Sequence, residues 1–338
     1  RMGPVTAKAN LDVLPARLTL SSLRAEGFGG SVDGNFLWDQ QEGWSLDGDL
    51  SKLNMATILK QLNAKEVPWS GVIHGPIEAR GGKKPLVLSA DLEITSTSGP
   101  SPLEGLLAMT YEEAGNRLLV RNSFLALPHS RINFAGDLGV GIALELRSTQ
   151  FRELLPVLEL AGLKEDQLAL GLLQGSGSVN GQLTGTIKKP HFRGSLSAEQ
   201  LLVNGIQIDK AKARVDYGDE LLTVDQLDIE SMTTTVKGNL RVALEAGRFE
   251  PASILSGKLE MQIEDLGKLG LAEPFTGSAS GTLALRGTWA EPVADGNVRS
   301  GEIIVRDFRF QQVSAAFTAS RRELKVGEWE ARLGRQPM

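Results

Sequence analysis

Apolar and polar side chains alternate with a period of two along most of this chain. From Ile132 the apolar or small positions are Phe134, Gly136, Leu138, Val140, Ile142, Leu144 and Leu146, and between them stand Asn133, Asp137, Glu145 and Arg147. Such alternation wets one face of a strand and keeps the other dry. The segment reads as one strand, or as two with a bend at Gly139-Val140-Gly141. The pattern recurs at Leu86, Leu88, Ala90, Leu92 and Ile94, at Ala211, Ala213, Val215 and Tyr217, and at Val236, Leu240, Val242 and Leu244. It returns at Leu255, Leu259, Met261 and Ile263, and at Val313, Ala315 and Phe317. Strands wet on one face favour antiparallel over buried parallel sheets. Turn signals at 112–116, 217–221 and 320–323 are short enough to join antiparallel neighbours, so the expected architecture is an all-β meander.

Three segments break the period. Met55, Ile58, Leu59 and Leu62 follow helical spacing behind Asn54, an N-cap residue type, and Phe151, Leu154, Leu155 and Leu158 repeat that spacing. Short helices are therefore expected over 54–62 and 151–160, the second bent or cut short by Pro156. A weaker third falls at 265–269. Strand should exceed about 45% of the chain, from the extent of the period-two pattern.

These breaks mark an internal repeat. Gly185 and Gly287 open matching Gly-Thr-x-x-x-Pro steps 102 residues apart, which places Pro190 on Pro292, Gly194 on Gly296, Ile206 on Phe308 and Val224 on Val326. Gly136 and Gly238 show the same offset. The chain divides into a partial unit at 1–70, full units at 71–174 and 175–274, and a partial unit at 275–338. Units of this kind bury their apolar face by stacking on neighbours.

Composition narrows the function. Hydrophobic residues make up 41% and charged residues 23%, so the chain is neither disordered nor membrane-spanning in character. Thirty-eight glycines with only 5% aromatics suggest many tight turns and an aliphatic interior. A net charge of −5 opposes nucleic-acid binding, and the pairs Lys83-Lys84 and Lys188-Lys189 are isolated turn residues. Without cysteine there is no disulfide, thiolate metal site or cysteine nucleophile. No run approaches the ~18 apolar residues of a membrane helix. The chain opens Arg1-Met2-Gly3-Pro4 and reads as a piece of a longer protein.

Catalytic constellations are missing. His74, His129 and His191 lie far apart without metal-ligand spacing, and each reads as an exposed turn residue. Asp47 and Asp49 flank Gly48 on the wet face of a strand. Gly29-Gly30, Gly81-Gly82 and Gly175-Ser-Gly177 lack the lysine of a phosphate loop and the long helix of a dinucleotide site, and are read as turns or bulges. No enzyme activity, metal or cofactor is expected.

The runs Trp44-Ser-Leu-Asp-Gly-Asp-Leu50, Asn54-Met-Ala-Thr-Ile-Leu-Lys-Gln-Leu62, Trp69-Ser-Gly71-Val-Ile-His-Gly75 and Phe151-Arg-Glu-Leu-Leu-Pro-Val-Leu158 resemble the AsmA-like (TamB) family of envelope proteins. So do Gly175-Ser-Gly-Ser-Val-Asn-Gly181-Gln-Leu-Thr-Gly185, the Gly-Thr-x-x-x-Pro steps and Val236-Lys-Gly238-Asn-Leu240. The resemblance implies an open antiparallel trough, apolar inside, crossing the periplasm from an inner-membrane anchor that lies outside this chain. It implies phospholipid acyl chains as cargo and, through the parent protein, an outer-membrane barrel partner. The groove lining would be Leu88, Ile132, Phe134, Leu138, Val140, Ile142, Leu144, Leu183, Leu196, Ile206, Ile208, Val215, Leu222 and Val224. It would continue with Val236, Leu240, Val242, Leu244, Leu259, Met261, Leu283, Leu285, Phe308 and Phe310. Two other readings stay open at this point. One is an ordinary closed core; the other is a scaffold for assembling outer-membrane or autotransporter proteins through its sheet edges. Three short helices cannot cover a dry face this large, and an uncovered face of that size exceeds what a soluble monomer tolerates.

Overall fold

The computed structural model describes residues 6–61, 69–99, 101–155, 175–186, 189–203, 206–269, 275–306 and 308–334. Strand accounts for 77% and helix for 5%, in a 22-stranded antiparallel meander that does not close into a barrel. The first six long strands are β1 (Thr6–Leu14), β2 (Arg17–Gly27), β3 (Gly30–Asp39), β4 (Gly43–Asn54), β5 (Trp69–Gly81) and β6 (Val87–Ser96). Helix α1 (Met55–Gln61) lies between the fourth and fifth. After the two-residue β7 (Ser101–Pro102) come β8 (Glu104–Glu112), β9 (Arg117–Leu127), β10 (Ser130–Asp137), β11 (Gly141–Ser148), β12 (Ser176–Gly185) and β13 (Pro190–Val203). A 3-10 turn, Phe151–Leu154, again follows the fourth strand.

The third set is β14 (Ile206–Tyr217), β15 (Leu221–Ser231), β16 (Thr234–Ala243), β17 (Leu255–Ile263), a short β18 (Phe275–Gly277), β19 (Ala279–Gly287) and β20 (Pro292–Val305). Its 3-10 turn, Leu266–Leu269, also follows the fourth strand. β21 (Phe308–Ser320) and β22 (Leu324–Gly334) begin a fourth set. The repeat is thus six long strands with a helical break after the fourth. The fifth long strand of successive sets begins at Trp69, Ser176 and Ala279.

Local geometry carries the repeat. Gly34, Gly136 and Gly238 occupy the third strand of successive sets at intervals of 102. A Cβ there would stand 2.1 Å from Asp47 O, 2.2 Å from Gly141 O and 2.1 Å from Lys258 O, in each case the backbone of the fourth strand. Only glycine lets the two strands approach so closely. Pro190 and Pro292 each open a sixth strand of 14 residues. The turn before each is stitched identically. The Lys189 N–H donates to Thr186 Oγ1 at 3.1 Å, and the Glu291 N–H to Thr288 Oγ1 at 3.1 Å.

Asn54 caps α1 by accepting the Thr57 N–H at 3.0 Å on Oδ1. The helix expected over 151–160 is a 3-10 turn as far as Leu154, and its part beyond Leu155 lies outside the described residues. The bend expected at Gly139-Val140-Gly141 is a tight turn between two strands, closed by the Val140 N–H donating to Asp137 O at 2.9 Å. His74 and His191 lie within β5 and β13 rather than in turns; only His129 occupies one.

The chain forms two compact units, Arg1–Pro156 with Asn180–Pro190, and Val157–Val179 with His191–Met338. Register shifts interrupt the ladders where Ser22, Lys52 and Gln226 take positive φ. Each is a bulge that bends its strand and raises the local twist.

Candidate functional site

Antiparallel pairing puts directly opposed residues on one face, so the registers show which side chains line up. In the second unit Val215 faces Val224, which faces Leu240, then Gly257, then Leu285. A neighbouring row runs Leu227, Gly238, Leu259, Leu283, Gly296, Phe317 and Val326. A third runs Val236, Met261, Gly281, Val298 and Ala315. The opposite face of the same strands is charged: Arg193 pairs with Asp216, Lys237 with Asp228 and Arg286 with Asp295.

Large side chains in these rows sit opposite glycines. Leu240 Cδ2 lies 2.8 Å from where a Cβ of Gly257 would be, and Leu259 Cδ2 stands 2.9 Å from that of Gly238. A leucine can therefore lie across the next strand and cover its bare backbone.

Among the described residues of the second unit, large buried side chains gather in clusters at the strand ends. At one end Val242, Leu244, Phe249 and Leu255 are buried together under Trp289, with Tyr217 and Leu222 packed against them. The Phe249 and Trp289 rings pack at a tilt of 45° with centroids 5.1 Å apart. The Tyr217 hydroxyl donates to Gly247 O, and burial, followed by the nearby Asp219 charge, raises its pKa. At the other end Ile263, Leu266 and Ala279 form a second cluster with Met261, Phe275, Val298 and Ile303. Between these ends Val224, Leu240, Leu259, Leu283, Leu285 and Phe317 are only half-buried.

The first unit is built the same way. One row runs Leu20, Phe36, Leu46, Ala79, Leu88, Tyr111 and Leu118; another runs Leu53, Ile73, Ile94, Gly105, Leu125, Ile132 and Leu146. Met55 of α1 covers one end with Ile94 and Leu103, while Leu138 covers the other with Val120 and Ile142. No large side chain among the described residues falls below 2% exposure. A closed two-layer core in a chain this long would contain many that do.

Of the residues expected to line a groove, Leu88, Ile132, Phe134, Leu144, Leu183, Leu196, Ile208, Val215, Leu222, Val224, Val236, Leu240, Leu259, Met261, Leu283, Leu285 and Phe310 are half-buried strand residues. Leu138, Ile142, Val242 and Leu244 are packed into the end clusters at 2–8% exposure and offer no open surface. Val140 is 83% exposed at the tip of a turn, where alternation no longer applies. Phe308 is 58% exposed beside Phe310. The Ile206 side chain lies outside the described residues. The expected lining left out Phe36, Leu46, Ile73 and Phe317, although the same alternation marks them.

Ile303 and Phe310 reach this face by a slip in parity. Val298 and Ile303 enter one cluster although five residues apart, so strict alternation does not hold between them. On the partner strand Gln312 takes φ 53°, and Phe310 stays opposite Ile303.

Two depressions in the second unit lie over the charged face. One of about 470 Å³ is lined by Lys237, Glu260 and Arg299; the other, of about 950 Å³, by Lys258, Asp295 and Lys325 together with Leu259, Leu283 and Phe317 of the apolar row. The Arg286 guanidinium and the Thr318 hydroxyl hold Asp295 below the usual carboxylate range. Burial pulls Asp216 upward, but Arg193 and His191 outweigh it and its pKa is lowered. Among the described residues no His, Asp and Glu cluster could hold a metal ion, and no helix is long and apolar enough to cross a membrane. No protein-family model, characterised protein or solved structure matches the chain.

Proposed function

We propose that this chain is a non-enzymatic, periplasm-facing segment of an AsmA-like envelope protein, whose apolar sheet face receives phospholipid acyl chains moving between inner and outer membranes. The observation that carries this reading is the half-exposed middle of each unit, bounded by covered ends, with no large side chain fully buried. Aliphatic rows left half-exposed are satisfied by hydrocarbon, at about 0.8 kcal/mol per CH₂ removed from water. Glycines opposite leucines keep the surface low, so a chain can lie along the rows without a pocket shaped for one head group. The inner-membrane anchor and the outer-membrane barrel partner belong to the parent protein in this reading.

Mass spectrometry of an organic extract of the purified protein tests the proposal. Co-purifying phospholipid is the expected result. An extract free of lipid, from protein that also fails to take up a fluorescent fatty acid, would overturn it.

A further inference from the structure

The two depressions on the charged face of the second unit share Glu260, Thr282 and Asn297, and so form one furrow. Strand register builds it around β19. Ser280 faces Gln262 of β17 on one side and Arg299 of β20 on the other, and Thr282 faces Glu260 and Asn297. Ala284 faces Lys258 and Asp295. Long polar side chains therefore stand on both walls, and Ser280 to Ala284 spans about 13 Å between them. Charge along the walls is unevenly matched. Asp295 is held by Arg286 and by the Thr318 hydroxyl, which donates at 2.8 Å, and Lys237 Nζ lies 3.6 Å from the Asp228 carboxylate. Among the described residues, Lys258 and Arg299 have no acid within ion-pair reach, and Glu260 has no base. One unpaired cation thus stands toward each end of the furrow with one carboxylate between them, in a chain whose net charge is −5.

We propose that this furrow binds a linear oligosaccharide in which acidic sugars alternate with neutral ones. Arg299 and Lys258 each meet a sugar carboxylate, while Glu260, Gln262 and Asn297 take the hydroxyls of the neutral sugar between them. A hydroxyl both donates and accepts, which suits walls of mixed amides, hydroxyls and one carboxylate. A sugar carboxylate beside Glu260 would be repelled, so a chain that is acidic at every sugar fits worse. A polypeptide is the poorer occupant, because peptide strands join a sheet through a free edge. Here β17, β19 and β20 are each paired on both sides. A nucleic acid needs a broader basic field than two cations flanking an acid. The furrow lies on the face opposite the acyl-chain rows, and the proposal does not rest on that reading.

The probe is a hyaluronan hexasaccharide, glucuronate alternating with N-acetylglucosamine, titrated calorimetrically into the full chain. Saturable binding that weakens with added salt is expected. Lys258→Gln and Arg299→Gln should each weaken it about threefold. Thr282→Phe fills the furrow with a residue well suited to a strand and should abolish binding, with circular dichroism verifying the fold. Lys212→Gln removes a charge from the same face on β14, outside the furrow, and should change nothing. A galacturonate hexamer, acidic at every sugar, should bind more weakly, and Glu260→Gln should close that gap. Absence of saturable binding, or equal binding of a neutral chitin hexamer, would overturn the proposal. So would undiminished binding by a folded Thr282→Phe variant, or a galacturonate affinity that ignores Glu260→Gln.

Discussion

Phe317 lies across Gly296: the two face each other between β20 and β21, and a Cβ on the glycine would stand 2.7 Å from Phe317 Cζ. Leu283 Cδ2 crowds the same point at 2.8 Å. Both obstacles are the far ends of side chains on a half-open face, so they can swing aside. At Gly238 the obstacle is the Lys258 carbonyl oxygen, 2.1 Å away, and backbone cannot swing aside without breaking the ladder. Gly296→Ala should therefore cost about 1 kcal/mol, and Gly238→Ala or Gly136→Ala about 3 kcal/mol. Urea unfolding of the three variants checks the order. Equal costs would show that the third-strand glycine is not the structural mark of the repeat.

Asp137 accepts from Arg117 and from the Gly139 N–H, and these two bonds hold its pKa below the ordinary carboxylate value. A carboxylate depressed in the folded state stabilises it above the unfolded pKa and loses that effect as pH falls through the folded value. Asp137→Asn should thus be less stable than the parent at neutral pH, and the gap should close in acid. Melting temperatures from pH 7 down to pH 2.5 would reveal it. A gap independent of pH would mean the side chain acts through turn geometry alone. The ion pair is solvent-exposed, so added salt should shrink the difference as well.

Phe249 covers the strand ends that carry Val242 and Leu255. Its removal leaves an apolar gap beneath Trp289, so Phe249→Ala should cost about 3 kcal/mol. The loss should be local, because each strand end has its own cluster. Hydrogen exchange should quicken near 242–255 while β14 and the cluster around Ile263 keep their protection. Uniform loss of protection would show that the second unit unfolds as one cooperative block.

The meander, the short helices and the period of 102 were legible in the sequence because each rests on local chemistry. Alternation identifies strands, Asn54 identifies a cap, and Gly136 and Gly238 recur where strands approach too closely for a side chain. What the pattern could not supply was the end of a strand. Val140 continues the alternation of Ile132–Leu146 on paper, yet Leu138 has already turned inward onto Val120 and left Val140 in water. Nor could it separate covered ends from open middles: Val242 and Leu240 look equivalent in sequence, and only the folding back of Phe249 buries the first. Parity slips such as the one at Gln312 were equally hidden, because a single residue in an unusual backbone region exchanges the faces beyond it.

Leu240 is the position that separates an open apolar face from a closed core. It sits in the middle of its row, opposite Val224 on one side and Gly257 on the other, and is half-buried. Leu240→Asp places a carboxylate among Leu259, Leu283 and Leu285. On an open face the new group keeps water around itself, so folding should lose about 1 kcal/mol, while an acyl chain lying along the row meets a hydrated charge and is interrupted. In a closed core the same change would strand a charge and cost several kcal/mol, enough to unfold the unit. Thermal stability and co-purified lipid should be measured on the same variant, with Leu240→Met as the neutral control. The expected pair of results is a folded protein with its lipid content sharply reduced. Collapse of the fold would instead show that the row is sealed, and a folded variant with undiminished lipid would place the hydrocarbon path elsewhere.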